Sequence, residues 1–418
     1  MMNLLKKIWH LPRHIVSDGY DEALREINKI IPLKIHSVAS GTKCWTWIVP
    51  KKWSIKEGYI KNLKGQKIVD FSDHPLRVHS YSLPIDKTVS KKELLNHIWT
   101  NPKRPNAIPF QFKYYEQDWG FCLEHNRLKK LTDDQYKVKI DSKLENSFLK
   151  IGEHIIKGEV EETVVILAHL CHPGMANDDA AGVAVLVDLA KELNKTKNHY
   201  TYKFILMPET IGSIAWLSQN ENLIPKMRYG IFLEMLGGKN TLALQYSRQG
   251  NTQLDKIAKQ IFQESRKKYR EGAFSEIVVN DEMVFNGPGV NVPTISISRY
   301  PYPEYHTSDD TIKIITDKQL TEAKNIVLKI INRLDQNYWP KRTFKGPVFL
   351  SGYGLWVDWK TNFQLNKNLE QLLLNLEGNQ SIVEIAQKLG MSFNETHDYI
   401  NKFADKKLII KQYLDEHN

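Results

Sequence analysis

"AHLCHPGMANDDAAG", residues 168–182, sets two histidines, a cysteine and two adjacent aspartates directly behind the apolar run "VVIL" of residues 164–167. A short apolar run of this kind reads as a buried strand, which puts the polar cluster at its carboxyl end. The following "AGVAVLVDLAKELNK" has helical periodicity, so the unit is strand, polar loop, helix. The same alternation continues through "YKFILMP", "YGIFLEM" and "VPTISIS", and "DKQLTEAKNIVLKIINRLDQ" closes it as a long helix. Strands separated by helices predict an α/β fold: a mostly parallel mixed sheet with flanking helices, with ligands bound at the strands' carboxyl ends.

That rule gathers the polar residues of this region. His169, His172, Asp178 and Asp179 follow one strand; Glu209 follows "FILMP" and Glu234 ends "YGIFL". Asp281 and Glu282 follow "EIVV", and His306 and Asp309 lie just past "VPTISIS". Imidazole nitrogens and carboxylate oxygens converging on one edge suit Zn²⁺, which takes such ligands tetrahedrally and keeps a position open for water when catalytic. A neighbouring glutamate then serves as base against an amide carbonyl. Each residue alone has a plainer reading: His172 before Pro173 as a turn residue, Asp178 and Asp179 as caps of the next helix, Glu209 in a helix's first turn. Arg248, in "LQYSRQG", could hold a substrate carbonyl, and Tyr302 and Tyr305 of "YPYPEY" could wall a pocket.

"ANDDAAG", "PETIGS", "EMLGG" and "YHTSDD" resemble, in that order, the metal motifs of the zinc aminopeptidase clan (MH type). "CHPGMANDDAAG", "WGFC", "PETIGS" and "YPEYHTS" are similar, more closely, to the bacterial aminopeptidase-like family that carries a nested β module and a carboxy-terminal winged helix. The resemblance implies an aminopeptidase/phosphorylase-like fold, one or two zinc ions, and hydrolysis of a peptide or another amide-bearing small substrate. It matches Asp178 to the aspartate bridging two metals, His306 to the late histidine ligand and Glu234 to the remaining carboxylate ligand. For the first histidine the clan's H-x-D spacing selects His169, although Cys171 stands where the clan has aspartate; the closer family's "CHP" selects His172. We take His172 as ligand with His169 as alternate. Where the clan has consecutive glutamates, this chain has Pro208-Glu209-Thr210. Glu209 is therefore assigned as base, and Asp281 or Glu282 as acceptor of a substrate amine or a completion of the metal shell. A metal-dependent deacylase of an amino sugar or modified amino acid is one rival, and a decayed scaffold or winged-helix regulator is another.

The expected domains are residues 1–40 with 126–342 for the α/β part, 41–125 for a nested β-rich module holding Trp45, Trp47, Trp53, Trp99 and Trp119, and 346–418 for the winged helix. The chain has 418 residues and a net charge of +10, which raises nucleic acid as a partner. From residue 346 onward, however, seven lysines face nine acidic residues, and the candidate recognition helix "FNETHDY" carries Glu395 and Asp398 where phosphates would have to lie. DNA is therefore not the expected partner, and homo-oligomerisation through the winged helix or nested module is. Cys44, Cys122 and Cys171 have neither disulfide nor zinc-ribbon spacing. No apolar run of membrane-spanning length occurs, and the amino terminus lacks a secretory signal pattern, so the chain is expected in the cytoplasm without a membrane partner.

Overall fold

A computed structural model describes residues 1–114 and 116–413. The chain divides into two compact units, Met1–Gly250 with Arg266–Val327, and Asn251–Ser265 with Leu328–Asn418.

The first unit is built on an eight-stranded sheet of β1 (Lys34–Ala39), β2 (Phe148–Ile156), β3 (Thr163–His169), β4 (Thr201–Met207), β5 (Met227–Leu233), β6 (Ala243–Gln245), β7 (Arg270–Gly272) and β8 (Thr294–Ser298), in the order β1-β2-β4-β3-β5-β8-β6-β7. The four strands β4, β3, β5 and β8 are mutually parallel, while β1 and β2 on one side and β6 on the other add antiparallel pairings. Every residue of β3 and β8 is buried, as expected of strands covered on both faces. Register pairs His169 with Met207, Leu167 with Phe232 and Leu233 with Ile297, so the carboxyl ends of the parallel strands lie level.

Helices α1 (Gly182–Leu193), α2 (Ile211–Ser218) and α3 (Asp281–Phe285) start at that edge. Gly182 lets α1 begin close to β5, because a Cβ there would stand 2.5 Å from the Leu233 carbonyl oxygen and 2.5 Å from Asp179 Oδ2. One expected strand is absent: "EIVV", residues 276–279, is irregular, so Asp281 and Glu282 open a helix rather than end a strand. The Ile277 and Val278 amides donate to Gln245 Oε1 at 2.8 and 2.9 Å, which satisfies them with a side chain in place of a neighbouring strand.

The first unit also contains a four-stranded antiparallel sheet, ordered Lys67–Asp70, Lys52–Asn62, Gln135–Glu145, Ile85–Ser90. Its strand Gln135–Glu145 lies past residue 125, the expected end of the nested β-rich module. The reason is in the alternation: Tyr136, Val138 and Ile140 are buried from one face of Gln135–Glu145, a period-two pattern that pairs it across Lys52–Asn62.

The amino-terminal segment packs into this module through His14, whose Nδ1 lies 2.8 Å from Ser80 Oγ and whose ring meets Trp53 edge-on with centroids 4.7 Å apart. Burial pushes the His14 imidazole down to about 3 and that of His79 down to about 4. Both are therefore neutral in the fold and take up protons on unfolding near their ordinary pKa. Stability is complete above about pH 6.5 and falls as pH drops toward the folded values, by at most about 1.4 kcal/mol per pH unit per histidine. In His14→Phe, the fall in melting temperature between pH 7.5 and 5 is expected to shrink relative to wild type. An equal fall in both proteins would remove His14 from the account.

The second unit carries α4 (Phe363–Leu374), α5 (Ile382–Leu389) and α6 (Phe393–Asp405). Helices α5 and α6 are joined by a short turn in which Gly390 takes φ 63°, and Ser392 caps α6 by accepting the Glu395 amide. Leu372, Leu376, Ile385, Ile400 and Phe403 form its core, and Leu389 is half-buried. The tail strand Ile409–Gln412 pairs antiparallel with Trp339–Arg342, which precedes the three helices, so no hairpin wing follows α6 among the described residues. The helix Gln253–Glu264 belongs here too: Lys256 pairs with Glu384 at 2.7 Å, and Gln253 Oε1 accepts from Ser381 Oγ at 2.8 Å and Asn337 Nδ2 at 3.1 Å. These bonds carry residues 251–265 and those from 328 onward into the C-terminal unit, ahead of the expected boundary at 342–346. Among the described residues no helix is long and apolar enough to cross a membrane.

Candidate active site

The level strand ends bring one histidine and aspartate cluster together. His169, the last residue of β3, is buried with Nε2 3.1 Å from Asp178 Oδ1 and Nδ1 3.2 Å from Asp281 Oδ2. His172 is buried beside it, with Nδ1 3.4 Å from Asp178 Oδ1 and Nε2 3.4 Å from Glu209 Oε2. His306 reaches the other Asp178 oxygen, Nε2 to Oδ2 at 3.0 Å. Asp178 thus stands between three imidazoles, and both histidines that the sequence left in competition face it. Glu234, just past the end of β5, is buried with Oε2 accepting from Asn280 Nδ2 at 2.6 Å. Asp179 Oδ1 accepts the Gly182 and Met235 amides at 2.9 Å each, so it fixes the start of α1 and the turn after Glu234.

The cluster has the marks of a cation site. His172 Nδ1, Asp178 Oδ2, Asp179 Oδ2, Glu234 Oε1 and His306 Nε2 are buried without a hydrogen-bond partner among the described residues. Asp178 Oδ2 and His306 Nε2 are 3.0 Å apart, yet not in hydrogen-bond geometry. Nitrogen–oxygen spacings of 3.0 to 3.4 Å are near the edge, about 3.3 Å, of a tetrahedron with zinc-to-ligand bonds of about 2.0 Å. One nitrogen or oxygen from each of His169, His172 and Asp178 lies within 4.8 Å of the others, and the same holds for Cys171 Sγ with an atom each of His172 and Glu209. The electrostatics agree: burial pushes Asp179, Glu234 and Glu282 upward, the last to about 7, and Glu209 upward as well. Holding these carboxylates ionised requires positive charge that the chain supplies only in part. Burial also pushes His172 down to about 3, which leaves a neutral imidazole, the form that binds metal.

Glu209 is the open side of the cluster, with 31% of its side chain exposed against 3% for His172. The turn that aims it is strained. Thr210 takes φ 58° and ψ −64°, and the Ile211 amide bonds back to the Glu209 carbonyl at 2.6 Å. This is a γ-turn of the rare kind, centred on a β-branched residue. Tyr305 stacks on His306 with ring centroids 3.8 Å apart, and Phe110 of the nested module meets His306 and His172 edge-on at 5.3 and 5.5 Å. The Phe110 amide donates to the His306 carbonyl at 2.8 Å, which fixes the segment carrying Phe110 against the cluster.

Other expected residues are elsewhere or otherwise engaged. Both Asp281 oxygens are taken inside the protein, Oδ2 by His169 and Oδ1 by the Thr210 amide at 2.9 Å and Ser213 Oγ at 2.5 Å. Glu282 is buried and accepts from Gln245 Nε2 at 3.1 Å and from the Asn280 amide. Neither is free to meet a substrate amine, because each fills the hydrogen-bonding needs of its own surroundings. Arg248 is exposed and bonded to Asn291 Oδ1. Asp309 pairs with Arg104 rather than with the cluster.

The sequence reading missed three supports. Asp310, one residue past Asp309, is buried and accepts from Tyr302 Oη at 2.6 Å and from the Ala176, Asn177 and Asp178 amides at 3.2, 2.6 and 3.1 Å. Arg13 is buried and donates to the carbonyls of Ile8, Leu170 (2.9 Å), His172 (2.7 Å) and Met175 (2.9 Å). Asn280 joins Glu234 to Glu282. The doubled aspartate of "HTSDD" was a usable signal for the first; nothing local marks Arg13.

Comparison with known proteins matches residues 2–337 to the family described as "Domain of unknown function (DUF4910)". A Clostridium acetobutylicum protein named "Putative polysaccharide biosynthesis protein with aminopeptidase-like domain" is 35% identical over 401 residues, covering 94% of this chain and 91% of that protein. A crystal structure from the same organism, described as a "putative peptidase", superposes with a TM-score of 0.87 at 34% identity, over 98% of this chain and 95% of that one. The zinc aminopeptidase of Bacillus subtilis superposes with a TM-score of 0.61 at 14% identity, over 80% and 94% of the two chains, a likeness of fold. The chain belongs to the DUF4910 family and has the fold of the zinc aminopeptidases.

Proposed function

We propose that this protein is a zinc-dependent, aminopeptidase-like hydrolase that cleaves an amide bond. The observation that supports the reading is the approach of His169, His172 and His306 to the two Asp178 oxygens at 3.0 to 3.4 Å, with unpartnered buried atoms on His172, Asp178 and His306 and, past the end of β5, on Glu234. Those residues would hold one or two ions. Zinc bound there would supply Lewis acidity, acidifying a water and polarising the scissile carbonyl. Glu209 accepts the proton of the attacking water and returns it to the leaving amine, a role supported by its place beside His172 with 31% of its side chain exposed. Tyr305, stacked on His306, and Phe110, edge-on to it, orient the His306 ring.

A second reading, hydrolysis of an N-acyl amino sugar or a modified amino acid, is favoured by the engaged state of Asp281 and Glu282, which leaves neither to bind a free amine. In the C-terminal unit, Asn394, His397 and Asp398 of α6 line a crevice of about 500 Å³ with Glu264, Lys329 and Arg333. Asp398 is exposed and Glu395 half-buried on α6, where they would oppose phosphates, so we assign the unit to packing or self-association, with a cytoplasmic setting. The test is a panel of aminoacyl reporters and N-acyl sugars, run on protein stripped with chelator and on protein reloaded with zinc. Aminoacyl cleavage is expected to vanish on stripping and to return with zinc. Cleavage of N-acyl sugars alone would end the peptidase reading, and failure to take up zinc would leave a metal-free scaffold.

A further inference from the structure

We propose that Asp281 is a positioning residue that holds His169 in its metal-binding tautomer and, with the same carboxylate, pins the strained turn that aims Glu209. The inference rests on the reading of the cluster as a zinc hydrolase site. Its basis is the way one fully buried side chain is shared. Oδ2 lies 3.2 Å from His169 Nδ1, while Oδ1 accepts the Thr210 amide at 2.9 Å and Ser213 Oγ at 2.5 Å. A carboxylate accepts only, so the contact to Asp281 is met by a proton on His169 Nδ1; Nε2 lies 3.1 Å from the Asp178 carboxylate, and with a zinc ion held between those two its lone pair would face the metal. Cys171, two residues after His169, does not do this: its Sγ faces the Glu209 amide at 3.1 Å.

The other oxygen acts on the base. A β-branched residue at φ 58°, ψ −64° is strained and persists only where its surroundings hold it. At Thr210 the holding contacts include the bond of its amide to Asp281, the γ-turn bond from Ile211 to Glu209 and the Ile214 amide donating to the Thr210 carbonyl at 3.0 Å; Asp281 supplies the one side chain among these. Residues from β3, the β4-to-α2 turn and the start of α3 thus meet at one carboxylate, and the imidazole and the base are set by the same group.

Asparagine at this position cannot serve both sides. If its oxygen faces Thr210, its NH₂ faces His169 Nδ1, which drives the proton to Nε2 and blocks the lone pair; if it is flipped, NH₂ opposes the Thr210 N–H. The experiment measures zinc affinity by chelator competition, together with kcat and KM, on folded wild type, Asp281→Asn and Ser213→Ala. Asp281→Asn is expected to bind zinc about 10- to 100-fold more weakly and to lose kcat with it. Ser213→Ala, which keeps the His169 contact, is expected to stay within about twofold of wild-type zinc affinity, because the imidazole's partner is untouched. If Asp281→Asn does not fold, the double variant with Thr210→Gly takes its place, since glycine adopts the positive φ without strain; the same loss of zinc is expected. Wild-type protein that binds zinc while the asparagine variant binds it equally well overturns the positioning role alone. Wild-type protein without stoichiometric zinc overturns both the role and the reading beneath it.

Discussion

Glu209→Gln is expected to lower kcat by about 10²- to 10⁴-fold while zinc content and KM stay close to wild type. The amide keeps the size of the side chain and the contact near His172, now 3.4 Å from Oε2, but it cannot accept a proton. Burial raises the Glu209 pKa above its ordinary value, which suits a group that must take a proton and return it near neutral pH. The opposite pattern is equally readable. This chain has Pro208-Glu209-Thr210 where the clan has paired glutamates, so one carboxylate could have been kept as a ligand in place of the base. In that case Glu209→Gln would lose zinc in parallel with kcat, and elemental analysis of the variant beside its kinetics would reassign the residue. Full activity with full zinc would remove Glu209 from the chemistry altogether.

The parts of this architecture that were legible in the sequence are those written in local periodicity. Apolar runs ending at His169, Met207 and Leu233 located three parallel strands, and a level sheet edge then gathers residues far apart in the chain. Where a strand's partners are side chains, the same logic misleads. "EIVV" has the composition of a strand, yet its amides are satisfied by Gln245, and Asp281 behind it faces inward to His169 instead of outward to substrate. The strand Gln135–Glu145, past the expected edge of the nested module at residue 125, is a related case. Gln135–Glu145 alternates as clearly as the strands before it, but composition changes near residue 125, and register with Lys52–Asn62 is a property of the pair. Asp310 was missed by a single position, because adjacent aspartates in a loop point to different surroundings, Asp309 to Arg104 and Asp310 to the Asp178 loop. Thr210 could not be anticipated, since nothing in its identity asks for a positive φ.

Arg13→Met is expected to be among the most destabilising single substitutions in the chain and to weaken zinc binding with it. The guanidinium is buried and donates to the carbonyls of Ile8, Leu170, His172 and Met175, so one side chain satisfies acceptors on both the amino-terminal segment and the loop that carries His172. Methionine fills similar volume but donates nothing, and each buried carbonyl left without a partner costs about 1–3 kcal/mol. Even partial relief by water leaves a loss of about 4 kcal/mol, which for a unit of this size lowers the melting temperature by roughly 10 °C. The substitution also removes a positive charge that lies near Asp178, Asp179 and Asp310, whose proximity counters the burial that pulls the Arg13 pKa down to about 10. Lysine should rescue little, because a single ammonium cannot reach carbonyls spread around a planar guanidinium. Thermal melts of Arg13→Met and Arg13→Lys with and without added zinc check the claim. A melting temperature within about 2 °C of wild type would mean that the loop is held by its own turns and by Asp310. A large drop that zinc fully reverses would mean that Arg13 stabilises the fold only through the metal site, whereas the four carbonyl bonds require a deficit that survives saturating zinc.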